Sequence, residues 1–303
     1  MEPATGFIQQ EPNEGAPATE QTEVRFGFDH DNLYIGIICF DSQPQNIVVT
    51  QNRRDATLAD TDSVQILLDT FHDHQNAFLF GTSPTGIEHD GQISKAGKGR
   101  SGVGTPARAG GQGSRGGTSQ RGGSSAFNLN WDAVWRVRSQ ITARGWESEM
   151  VIPFKTLRYQ PGSGQVWGLN ITRMLRRRNE QSFWAPVSRA FYFTQVELGG
   201  ELEGLDVEIR RNLKLLPYVL GGFKQDYTLA RDPSRMARTG GLDAKYSLTP
   251  SLTLDATVNT DFAQVEVDEE QVQLSRFDLF FPEKRPFFLE NSGFFEFGTP
   301  SEV

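Results

Sequence analysis

DTDSVQILLDTFHDHQNAFLFGTSPTGIEHDG, residues 60–91, reads as two strands joined by a polar turn. In steps of two, Val64, Ile66 and Leu68 fall on one face, and Ser63, Gln65 and Asp69 on the other. Leu67 interrupts the alternation, which predicts partial cover on the second face as well. Residues 72–76 (His, Asp, His, Gln, Asn) form the turn, and residues 77–82 return as the second strand. Two such runs across a short polar loop make a hairpin of an antiparallel sheet with one face on a core.

Outward from this hairpin the same texture recurs. Residues 24–28 alternate, His30, Asp31 and Asn32 turn, and residues 33–40 form a buried strand. A short strand is expected at 47–50, and the charged stretch 51–60 is expected to cross the surface. Residues 1–22, with Pro3, Pro12 and Pro17, suit an extended lead-in. Downstream, strands are expected at 131–139, 145–152, 167–174 and 191–198, with a tight turn over 153–157. About eight or nine short strands with regular turns and no long helical period predict an all-β chain, a jelly-roll-like β-sandwich over residues 1–205. Residues 95–125 are a Gly/Ser/Arg insertion with no apolar content, expected to be disordered.

Residues 206–303 differ. Strands are expected at 213–222, 241–248 and 251–259, where Leu242, Ala244, Tyr246 and Leu248, then Leu252, Leu254, Ala256 and Val258, alternate with polar residues. That pattern fits the first strands of an outer-membrane β-barrel region. Three strands cannot close a barrel. The polar start and the phenylalanine-rich end lead us to expect a fragment of a longer chain.

A net charge of -8 and a pI near 5.2 argue against nucleic acid, whose phosphates need a basic surface. The single cysteine, Cys39, sits in an apolar strand and reads as a small buried hydrophobe. No H-E-x-x-H, C-x-x-C or G-x-S-x-G occurs, and no carboxylate pair stands out as catalytic, so no catalytic residue is assigned. His72 and His74 beside Asp69 and Asp73 read as a solvated turn rather than a metal site. Asp41 and Asp62 border core strands at one end of the sheet, where carboxylates and carbonyls suit a structural calcium. Trp135, Trp146 and Trp167 lie within strands and belong to a core. Trp131 and Trp184 are the candidates for stacking on a sugar ring, with Arg53 and Arg173 as the polar candidates for its hydroxyls.

VRFGFDHDNLYIGIICFDSQP (24–44), DTDSVQILLDTFHD (60–73), GWESEMVIPFKTL (145–157) and WGLNITR (167–173) together resemble family 9 carbohydrate-binding modules. The resemblance implies a β-sandwich, a polysaccharide or oligosaccharide partner and a structural calcium at Asp41 and Asp62. It also implies a sugar held between two tryptophans, and here the chain departs. Ala59 stands at one tryptophan position, Gln65 at a glutamate and Phe80 at an arginine. TVNTDFAQVEVDEEQVQLSRFDLFFPEKRPFFLENSGFFEFG (257–298) resembles the start of the β-barrel in bacterial outer-membrane proteins that carry such a module.

The expected function is carbohydrate binding as an accessory to polysaccharide capture or breakdown, at the bacterial outer membrane, periplasm or cell surface. Three alternatives stay open. One is an enzyme acting with glycoside hydrolases. The second is a haem-binding sandwich using His30 with Met150 or Met174. The third is a ligand-free plug for the barrel.

Overall fold

The computed structural model describes residues 2–94, 127–129, 131–207, 213–225, 234–249 and 252–259. The insertion at 95–125 and the phenylalanine-rich tail lie outside these residues. The chain forms two compact units, and the described residues 2–207 belong to the first and 213–259 to the second.

In the first unit the strands are β1 (Ile8–Glu11), β2 (Thr22–Phe28), β3 (Asn32–Phe40), β4 (Ser63–Asp69), β5 (Ala77–Thr82) and β6 (His89–Ile93). They continue as β7 (Phe127–Asn128), β8 (Arg136–Thr142), β9 (Gly145–Pro153), β10 (Gly162–Leu175), β11 (Glu180–Phe183) and β12 (Gly200–Val207). One sheet has four strands in the order β2-β3-β9-β8. The other has eight, in the order β1-β11-β10-β4-β5-β6-β7, with β12 also pairing β10. All the pairings are antiparallel, and the opening hairpin is β4 and β5, with Ile66 opposite Phe80. The chain is all-β, and these sheets pack as a sandwich.

The alternation read from sequence places the core. Leu33, Ile35, Ile37, Trp146 and Met150 from the smaller sheet meet Val64, Ile66, Phe80, Trp167 and Ile171 from the larger. Each large apolar side chain so buried contributes about 1.5–3 kcal/mol. Leu67 is explained by a second cluster on the outer face of the larger sheet. There Leu67, Leu79 and Phe183 are covered by Val187, Phe193 and Val196 from the segment after β11. Phe183 and Phe193 meet at 5.8 Å.

Several expectations change. Residues 47–50 form no strand, because the Val48 N–H is taken by the Asp62 carboxylate at 2.5 Å. Residues 191–198 are turns rather than a strand, laid across the outer face. The lead-in contains β1, which adds to the sheet edge beside β11. Strand β12 was not anticipated from its polar sequence GELEGLDV.

The second unit holds β13 (Leu213–Gln225), β14 (Ser234–Thr249) and β15 (Leu252–Val258) as an antiparallel meander. The register aligns Leu215 with Ala244 and Ala256, and Pro217 with Leu242 and Val258. With Leu213, Val219, Tyr246 and Leu254 on the same parity, this face is mostly apolar, and Arg238, opposite Gly221, is a charged residue on it. Much of it is exposed, Val219 at 91% and Val258 at 69%. Asp243, Asp255 and Thr257 fall on the opposite face, where the Thr257 hydroxyl donates to Asp243.

Candidate functional site

Gln65, Gly81 and His89 lie side by side on β4, β5 and β6, because Gly81 pairs with Gln65 on one side and His89 on the other. They share the outer-face parity of Leu67 and Leu79. Gly81 is the floor between the two polar side chains. A Cβ there would stand 3.1 Å from Gln65 Cγ, 3.4 Å from His89 Cδ2 and 2.6 Å from Leu58 Cδ1. Leu58, itself 4% exposed, therefore roofs the glycine. Gln65 Oε1 and His89 Nδ1 are both buried and without a hydrogen-bond partner. Most buried polar atoms in folded proteins are paired, so two orphans flanking one glycine call for a reason. Burial holds the His89 pKa below the ordinary imidazole value against an opposing pull from Asp55, so the ring is neutral at pH 7.

The loop that carries Leu58 is anchored next to this point. The Asp55 N–H donates to the Glu88 carbonyl at 2.9 Å. Arg54 reaches Glu88 at 2.6 Å and Asp90 at 2.9 Å, and donates to the Ala133 carbonyl at 3.0 Å. Asp90 in turn accepts from the Trp135 indole at 3.0 Å and the Ala133 N–H at 2.7 Å. Burial pushes the Asp90 carboxyl up to about 6, against the pull of Trp135, Ala133 and Arg54.

The sugar candidates named from sequence do not converge. Trp131 is 7% exposed and packs against Phe78 at 4.9 Å and Phe80 at 6.1 Å, inside the sandwich core. Its flat faces are used in packing, which corrects the expectation of an exposed platform. Trp184 is partly buried against the core, with its ring over Gly200. Arg53 is exposed in a turn closed by its carbonyl and the Ala56 N–H. Arg173 is 2% exposed and serves as an internal tie, donating to the Gln21 carbonyl at 2.8 Å, Thr22 Oγ1 at 3.0 Å and the Phe40 carbonyl at 2.7 Å.

Asp41 and Asp62 reach one end of the sandwich together with Glu20 and Arg177. Three of the four Asp41 and Asp62 oxygens are already engaged, and the fourth, Asp41 Oδ2, is buried without a partner. Asp41 Oδ1 accepts from Arg177 at 2.5 Å and from the Gln43 N–H at 2.7 Å. Asp62 accepts from the Val48 and Arg176 N–H groups at 2.5 and 3.2 Å. Desolvation would raise the Glu20 pKa, but hydrogen bonds from Ser42 and Arg177 outweigh it and hold the carboxyl below its ordinary value. Among the described residues no group of three or more His, Cys, Asp or Glu is placed to hold a metal. A hard cation needs oxygens free of donors, so these residues as arranged do not fit calcium.

No local pattern in the sequence pairs His89 with Gln65, 24 positions away. Counting parity across both turns, 65 to 81 to 89, is the signal that brings them together.

Known proteins add the following. The family described as a domain of unknown function (DUF5916) matches residues 210–299. No curated protein matches the chain. Among solved structures, the chain is similar to a Bacteroides uniformis protein for which carbohydrate binding is proposed. The two are 11% identical over 67% of this chain and 84% of that one, with a TM-score of 0.44. It is also similar to a family 9 carbohydrate-binding module from Caldicellulosiruptor kristjanssonii, solved in complex with cellotriose. There the identity is 14% over 69% of this chain and 83% of that one, with a TM-score of 0.39.

Proposed function

We propose that the sandwich binds an oligosaccharide on the outer face of its larger sheet, at Gln65 and His89. The observation that carries this reading is the pair of unpartnered buried atoms flanking Gly81. The sequence resemblance to family 9 modules supplies the ligand class. Neighbouring hydroxyls of a sugar ring each donate and accept, so one ring edge can satisfy an amide and a neutral imidazole at once. Entry requires Leu58 to swing off Gly81. Binding rests on hydrogen bonds and Leu58 contact rather than on a tryptophan clamp, and weak affinity is expected.

Affinity electrophoresis through gels holding soluble cellulose or xylan derivatives tests this. Retardation of the full chain is expected, with Gln65→Ala and His89→Ala each abolishing it while leaving the melting temperature near wild type. Retardation that survives both substitutions would sink the assignment. Acid should also release the glycan. A depressed imidazole favours its neutral form above the ordinary pKa, and the ring charges as pH falls through the lowered value.

The second unit points to where this happens. The run of Leu213, Leu215, Pro217, Val219, Leu242, Leu254 and Val258 on one face suits a lipid-facing sheet, and its two longer strands have 13 and 16 residues against the ~10 needed to cross a bilayer core. Among the described residues no helix is long and apolar enough to cross. We therefore read the module as carried at an outer membrane by strands that include β13, β14 and β15, serving polysaccharide capture. Val219→Arg should cut co-flotation of the chain with phospholipid vesicles, in line with roughly 2–4 kcal/mol for arginine at mid-bilayer. Unchanged flotation would remove the membrane reading.

A further inference from the structure

Between Val48 and Asp62 the chain leaves the sandwich and returns to the same point. The Val48 carbonyl accepts from the Asp62 N–H at 2.9 Å and from the Thr61 hydroxyl at 3.0 Å. The Val48 N–H closes the neck by donating to the Asp62 carboxylate. Residues 49–61 are therefore a loop with a fixed neck, the form of an Ω-loop. Leu58 is the one buried apolar residue among them. It is also the roof over Gly81, and its carbonyl accepts from the Ser63 hydroxyl at 3.3 Å. With so little apolar burial the loop depends on polar ties, which is the mark of a segment that opens locally.

These ties are unequal. The Thr85 hydroxyl reaches the Gln51 carbonyl at 3.4 Å, and Arg176 pairs with Asp60 at 3.1 Å on the surface, where the Asp60 side chain is 63% exposed. Arg54 instead reaches inward, to Asp90 at 2.9 Å, whose side chain is 1% exposed, and to the Ala133 carbonyl at 3.0 Å. It also holds Glu88 at 2.6 Å, while the Asp55 N–H takes the Glu88 carbonyl. We propose that residues 49–61 are a lid hinged at Val48 and Asp62, and that Arg54 is its latch, a positioning residue that sets how often Leu58 leaves Gly81. For its effect on binding, this rests on the reading of Gln65 and His89 as the sugar site. The latch itself is a property of the chain alone.

Modification of His89 by diethyl pyrocarbonate, read by peptide mass on the full chain in rising urea, measures the opening. The single cysteine, Cys39, is buried in the main core, and its alkylation by iodoacetamide reports global unfolding. Below the unfolding transition the wild-type His89 rate should stay nearly flat with urea, because a swinging loop exposes little surface, while the Cys39 rate climbs steeply. Arg54→Gln should raise that flat level about tenfold, the scale of a lost charge-assisted hydrogen bond. Leu58→Ala should also expose His89, and adding Arg54→Gln to it should add little, since the latch acts through the roof. In gels holding the soluble glycan derivatives Arg54→Gln should be retarded more than the wild type, because more of the chain is open. Faster His89 modification with no gain in retardation leaves the latch standing and removes the sugar reading. An unchanged flat level in Arg54→Gln, or full additivity with Leu58→Ala, overturns the latch. If Arg54→Gln does not fold, the wild-type urea profile decides: a flat His89 rate supports the lid, and a rate that climbs in parallel with that of Cys39 overturns it.

Discussion

Asp90→Ala is expected to lower stability by about 3–5 kcal/mol at neutral pH, read as a shift in the urea midpoint. The carboxylate is 1% exposed and serves three donors, two of which have no water to turn to. Its loss strands the indole N–H of Trp135 and the backbone N–H of Ala133, both in residues 3% exposed. Each stranded donor costs about 1–3 kcal/mol. Arg54 adds less, because its side chain is 40% exposed and water screens its charge. The damage then spreads through packing, since Trp135 lies edge-on to Phe80 at 5.2 Å in the main core.

The same group gives a pH signature. Burial pushes its folded carboxyl up to about 6, above the ordinary aspartate value of 3.8. Between roughly pH 4 and 6 the folded chain holds a proton that the unfolded chain has released. Stability is therefore fully present below pH 4 as far as this group is concerned, declines as pH rises to 6, and is flat above. The decline is roughly 3 kcal/mol at about 1.4 kcal/mol per unit. Asp90→Asn resembles the protonated side chain and should erase this slope. Equal slopes in the two proteins would show that another group causes it.

What the sequence displays and what it hides follow from the same physics. Strands that bury one face announce themselves by period two, so β2, β3, β4 and β9 are legible, and so is the sandwich. Strands at an edge need only backbone pairing, so β1 and β12 carry no apolar period and pass as loops. The reverse error arises at residues 191–193, where Phe, Tyr and Phe look like a strand, while Phe193 is in fact a cover packed on Phe183. Val48 misleads in the same way, as a β-branched residue whose N–H a distant carboxylate captures. For the site, Leu67 was the useful irregularity. It betrayed a second covered face, the face on which Gln65 and His89 stand. The ion pair of Arg177 with Glu20 was hidden because it spans 157 residues, a pairing that no local pattern records.

Gly145→Ala should cost roughly 2–6 kcal/mol, through a backbone conformation and a collision that act together. Gly145 opens β9 at φ +139°, a region that side chains rarely adopt. An added Cβ would stand 2.0 Å from the Cys39 carbonyl oxygen and 2.9 Å from the Asp41 nitrogen, both rigid backbone atoms. The close approach exists because β9 pairs here with β3, Gly145 opposite Phe40, and the Asp41 N–H donates to the Arg144 carbonyl at 2.9 Å. Relief therefore means pushing β3 away at the residue whose carboxylate holds Arg177. The loss should appear in the urea midpoint, since a displaced Asp41 also loosens its ion pair with Arg177. Gly36→Ala is the matched control. Gly36 lies on the same strand β3, and nothing stands within 4 Å of the Cβ it would gain, so its substitution should be neutral or slightly stabilising. Similar midpoints for the two variants would mean that the turn relaxes freely and that the Asp41 end of the sandwich is not built as tightly as its hydrogen bonds indicate.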